Sequence, residues 1–122
     1  MKSKNLAESF KYAFSGLFES LVKERNFKIH VCAAVCALVS AIYFKISVLE
    51  FICLLISITM VLSAELINTA IEAAVDLFTG DRLHPLAKAA KDAAAGAVLI
   101  TAINAVAVGA AIFFKRLIGV IL

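Results

Sequence analysis

No Gly-, Ser- or Pro-rich linker interrupts this chain of 122 residues, and no internal repeat or low-complexity tract divides it. A single domain is therefore expected. Three cysteines, Cys32, Cys36 and Cys53, lie within apolar segments and behave there as small apolar residues, so no disulfide framework is implied. Cys32 and Cys36 share a helix face near His30, but the fourth ligand of a soft-metal site is missing. The charged start, Met1-Lys2-Ser3-Lys4, leads into an amphipathic stretch rather than a continuous apolar core, so neither cleavage nor secretion is expected. Proline occurs once, at Pro85, and the fourteen residues from Phe51 to Ala64 carry no charge.

What is present in excess is apolar surface. Hydrophobic residues make up 63% of the chain and the mean hydropathy is +1.00, more than a soluble domain of this size could hide. The expected fold class is all-α and integral to a membrane, with three transmembrane helices preceded by an amphipathic surface helix. Residues 5–22 place Leu6, Phe10, Phe14, Leu17, Phe18 and Leu21 on one side and Glu8, Lys11, Ser15 and Glu19 largely on the other. Such a helix lies in the interface plane. The spans follow at about 27–46, 48–78 and 85–119, with Lys45 ending the first and a tight turn expected at Ser47 to Leu49. Pro85 suits the first position of the third. Small residues dominate the first half of that helix, which favours close packing against another helix or a neighbouring subunit. Thr101 and Asn104 read as interhelical hydrogen bonders.

Lysines and arginines set the orientation. Six precede the uncharged run of the first span, Val31 to Phe44, and three lie around the second loop, against one in the first loop and two near the C-terminus. Nine against three puts the N-terminus on the cytoplasmic side of a cell membrane and the C-terminus outside.

Acids then enter where the apolar run ends. At 100° per residue, Glu65, Asn68, Glu72 and Asp76 fall within an arc of about 80° on one helix face. Carboxylates at such depth cost about 2.5–3.5 kcal/mol each on insertion scales and require a partner. A divalent cation with hard-oxygen preference, Mg²⁺, is the natural one. A polar seam that merely joins helices, or an ion relay through Glu65, would also place acids here. A relay, however, should reach both membrane faces, and the outer halves of the spans offer little beyond Ser40, Ser57 and Asn104. Glu24, just before the first span, could meet Glu72 and complete a metal site. His30 reads as a hydrogen-bonded packing residue rather than a ligand.

A cytoplasm-facing site of acids with Lys91 nearby suits phosphoryl transfer. Mg²⁺ would bridge phosphate oxygens, Lys91 would balance developing charge, and one carboxylate would accept the proton of an attacking hydroxyl. Neither a G-x-x-x-x-G-K-[ST] loop nor a kinase glycine loop occurs, so any kinase here must be of an unrelated, all-helical type.

The run Glu65-Leu-Ile-Asn68-Thr69-Ala-Ile-Glu72-Ala-Ala-Val-Asp76, followed by Lys91-Asp92, resembles the signature of the prokaryotic diacylglycerol kinase family. The Glu24-Arg25-Asn26-Phe27 cluster with His30, and the stretch from His84 to Val98, look like its Gram-positive, undecaprenol kinase branch. The resemblance covers nearly the whole chain. It implies Glu65 as general base on a lipid hydroxyl, Asn68 as support for the catalytic carboxylate, and Glu24 and Glu72 as metal-binding acids. It further implies Lys91 as a phosphate contact, with Asp76, His84 and Asp92 near the nucleotide. A homotrimer with shared sites, Mg²⁺ as cofactor and ATP as co-substrate follow from it, with no nucleic-acid partner. The enteric members carry a Gln-Glu pair where this chain has Ile29-His30, and an arginine near the position of Asn5. Both differences point away from diacylglycerol, the alternative acceptor, and toward undecaprenol.

Overall fold

The computed structural model describes residues 2–122, which form four helices: α1 Leu6–Lys23, α2 Arg25–Phe44, α3 Val48–Thr79 and α4 Pro85–Ile121. The last three are long and apolar enough to cross a membrane. At 1.5 Å per residue α2 spans about 30 Å, close to the hydrocarbon thickness, whereas α3 reaches about 48 Å and must project beyond it.

Local signals start and stop each helix. Asn5 caps α1, its side chain accepting the Glu8 N–H at 2.9 Å. Glu24 then serves as the C-cap of α1 and the N-cap of α2 together. Its N–H bonds the Ser20 carbonyl at 2.9 Å and its own carbonyl accepts from Lys28 at 3.1 Å, so one extended residue joins the helices with its backbone satisfied. Its carboxylate caps neither helix and is left for other work.

The turn after α2 runs from Lys45 to Ser47, slightly earlier than the expected Ser47 to Leu49. Lys45 adopts the left-handed region (φ 50°) and its N–H bonds the carbonyls of Ala41 and Ile42. That closes α2 two residues short of the expected end. Ser47 and Glu50 form a capping box that starts α3, with Glu50 N–H to Ser47 Oγ at 3.1 Å and Ser47 N–H to Glu50 Oε1 at 3.0 Å. Gly80, at φ 60°, ends α3, a conformation that favours glycine. Pro85 opens α4 as expected, and His84 caps it by accepting the Leu86 N–H on Nδ1 at 3.1 Å.

Helices α3 and α4 pack along much of their length, α2 lies on α3, and α2 and α4 scarcely meet. The buried positions of α3, namely Leu54, Ser57, Val61, Glu65 and Asn68, follow a 3–4 spacing and make it the central helix. An apolar cluster of Ala41, Leu54 and Ile112 fills one end. Midway, Asn104 Nδ2 donates to Ser57 Oγ at 3.4 Å, the expected interhelical bond. Thr101 does not make one: its hydroxyl donates to Val98 of its own helix at 2.7 Å. The small residues of α4 are only partly used within the chain. Ala94 is buried, but a Cβ at Gly96 or Gly109 would meet nothing within 4 Å. No residue of α1 is buried, and Leu6, Phe10, Phe14 and Phe18 face outward, as a helix lying on an apolar interface requires.

Candidate active site

The end of the bundle away from the apolar cluster carries the polar face of α3. Glu65 is its deepest member at 3% exposure. Across from it on α2, His30 Nε2 stands 3.8 Å from Glu65 Oε2. The charges of Glu72 and Glu24 also act on Glu65, which brings four ionisable groups from three segments into one electrostatic neighbourhood. His30, expected to serve packing, thus belongs to the site. Sequence gave no signal for this, because the contact depends on how α2 crosses α3.

One turn beyond Glu65, Asn68 donates from Nδ2 to Glu72 Oε1 at 3.2 Å. Asn68 was expected to support the catalytic carboxylate; in this chain the acid it holds is Glu72. That bond fixes the orientation of the amide, since the reverse would set an oxygen against a carboxylate. Asn68 Oδ1 is consequently left buried with no donor. A buried acceptor without a partner is costly, and a hard cation beside Glu72 would satisfy it. The donor chemistry therefore fits Mg²⁺. No group of three or more His, Cys, Asp or Glu side chains close enough to hold a metal exists among the described residues. Two carboxylates, Glu24 and Glu72, suffice for an ion that keeps water and phosphate oxygens in its other positions.

Another turn on, Asp76 pairs with Lys91 Nζ and ties α3 to α4. Both line a cleft of about 820 Å³ under the α3–α4 connection, together with His84 and Asp92. All four residues expected near a nucleotide are therefore brought together. His84 has a second task there. Because its Nδ1 accepts the Leu86 N–H, the neutral ring carries its proton on Nε2 as a donor. Asp92 is held by Lys88 at 2.5 Å. Arg82, which sequence reasoning passed over, also lines the cleft, its Nε donating to the Thr79 carbonyl at 3.4 Å. Its position in a Gly- and Pro-bounded loop just ahead of Lys88 and Lys91 was the available signal.

An apolar groove of about 430 Å³ opens where α2 and α4 fail to meet. Small residues such as Ala34 and Ala37 on α2 and Ala105 on α4 line it, Val61 forms its floor on α3, and His30 stands at the end next to Glu65. A site with a buried carboxylate, an apolar groove on one side and a mixed-charge cleft on the other can join an apolar molecule to a polar one.

Fold and site together define a small multi-pass membrane protein whose reactive groups gather at one end of its helices. Residues 11–113 match the model of a family described as prokaryotic diacylglycerol kinase. The chain belongs to that family of lipid kinases. It is 44% identical over 110 residues to an undecaprenol kinase of Bacillus subtilis, covering 90% of this chain and 89% of that protein. A diacylglycerol kinase of Synechocystis is 40% identical over 115 residues, 94% of this chain and 66% of that longer protein. A diacylglycerol kinase of Escherichia coli is 35% identical over 95 residues, 78% of this chain and 77% of that protein. Membership in a kinase family implies a nucleotide co-substrate and a lipid acceptor, and gives no support to the ion-relay reading.

Proposed function

We propose that this protein is an ATP- and Mg²⁺-dependent undecaprenol kinase that converts the terminal hydroxyl of the polyprenol to a phosphate. The observation that carries this reading is Glu65: a buried carboxylate 3.8 Å from His30, which lines the apolar groove, and on the same helix face as Asp76, which lines the cleft. The relative of that name, similar along most of both chains, supports the choice of acceptor.

Glu65 is the general base. Its carboxylate takes the hydroxyl proton, the freed oxygen attacks the γ-phosphorus of ATP, and the bond to the ADP oxygen breaks. Lys91 exchanges its partner Asp76 for phosphate oxygens, and His84 and Asp92 flank the nucleotide. Glu72 and Glu24, with the unpartnered Asn68 oxygen, would hold Mg²⁺, which when bound would supply charge neutralisation to the phosphates. Neighbouring chains of a homotrimer pack against the unfilled small-residue face around Gly96 and share the site. The site faces the cytoplasm, where ATP is, with the C-terminus outside, in keeping with nine Lys and Arg on that side against three.

A second reading keeps the chemistry and changes the acceptor to diacylglycerol, the substrate named for the Synechocystis and Escherichia coli relatives. Purified protein in detergent, given labelled ATP and Mg²⁺ with each lipid separately, decides between them. Preferred transfer to undecaprenol is expected; preferred transfer to diacylglycerol would overturn the assignment of the acceptor.

A further inference from the structure

His30 is common to the acid site and the apolar groove: it lines the groove and its Nε2 stands 3.8 Å from Glu65 Oε2. Among the described residues it is the one basic side chain within 4 Å of that carboxylate. Glu65 is almost fully buried, and its other electrostatic neighbours, Glu72 and Glu24, are both acids, so neither favours a fixed, ionised carboxylate. An imidazole does so in either protonation state, because Nε2–H donates in the cation and in one neutral tautomer. The separation exceeds a formed hydrogen bond, as is common before a substrate tightens a catalytic pair.

We infer that His30 is a positioning residue: it holds Glu65 by Oε2 at the mouth of the α2–α4 groove, leaving Oε1 to meet the hydroxyl of an alcohol whose hydrocarbon chain lies in that groove. The inference rests on Glu65 being the base. At about 430 Å³ the groove falls toward the low end of small-molecule pockets, about 300–1,000 Å³, and its lining is apolar, with Ala34, Ala37 and Ala105 beside Val61, Val106 and Phe113. A single-chain polyprenol satisfies that shape. His30 then ties the choice of acceptor to its orientation, because the residue that closes the groove is also the one that aims the base.

Three variants test this in the full-length protein, with undecaprenol and ATP as substrates. His30→Leu removes the donor and keeps side-chain bulk; kcat is expected to fall about tenfold or more, the scale of a misaimed reacting group, with KM for ATP unchanged. His30→Gln restores an N–H donor and is expected to recover the rate to within about threefold. A purely structural histidine would not show that recovery. A wild-type kcat in His30→Leu, or a His30→Gln as slow as His30→Leu while binding ATP normally, would overturn the inference. If His30→Leu does not fold, His30→Met replaces it: it also lacks a donor and should run about tenfold slower than His30→Gln. Equal rates would again overturn it. Failure of the base assignment reads differently, as normal transfer by Glu65→Gln.

Discussion

The two ends of α3 handle charge in opposite ways. At the Glu50 end, Arg116 clasps the carboxylate with both arms, Nη1 to Oε2 at 2.8 Å and Nη2 to Oε1 at 2.9 Å, while Ser47 N–H adds a third bond. Arg116 also donates to the Ile112 carbonyl at 2.6 Å. Acceptors and donors there are matched, and the groups serve to pin α3 to α4. At the Glu65 end the count does not close. Glu65 has a loose histidine, Asn68 Oδ1 has no donor, and the Glu72 carboxylate is met by an amide rather than a cation. At the Glu50 end charge is matched in full, whereas at the Glu65 end only the outermost acid, Asp76, meets a cation, Lys91, and the deeper polar groups are left open.

That contrast can be broken most directly at Glu65. Glu65→Gln keeps size and removes the base, so kcat for phosphate transfer should drop about 10²-fold or more while the detergent-solubilised protein retains its thermal stability. Near-normal turnover would show that the unmatched acid is not reactive. Glu72→Gln comes next. Losing one carboxylate ligand should move the Mg²⁺ activation curve about tenfold to higher concentration, and an unchanged titration would remove Glu72 from the metal set. At the matched end the effects should appear in stability alone. Glu50→Gln should lower the thermal unfolding midpoint, with turnover close to wild type. A large loss of activity without loss of stability would contradict the division between the ends. The smallest effect should be Ser47→Ala, which removes half of the capping box and costs about 1 kcal/mol in thermal unfolding.

Much of the active end was legible before any coordinates. Glu65, Asn68, Glu72 and Asp76 share a face because helical periodicity alone puts them there, and the bounds of α3 needed only the Gly80 and Pro85 punctuation. The helices were likewise readable from hydropathy and caps. What was not legible depended on how helices cross. The Glu50–Arg116 clasp joins residues 66 apart with no local pattern linking them. His30 meets Glu65 only because α2 leans on α3, and the same residue read alone looks like packing. Thr101 shows the converse: its hydroxyl could have bridged helices, yet the Val98 carbonyl one turn back was nearer. The role of His84 as helix cap could have been found from its place directly before Pro85, since the first turn of any helix seeks an acceptor.

The one-residue junction at Glu24 has a mechanical meaning. Consecutive Cα atoms are about 3.8 Å apart, so an extended residue whose backbone is bonded to both flanking helices offers almost no slack. A helix floating at the headgroup plane takes its height from the lipid around it. Through this short tether the placement of α1 sets the placement of the Glu24 carboxylate, so that a shift of one carries the other with it.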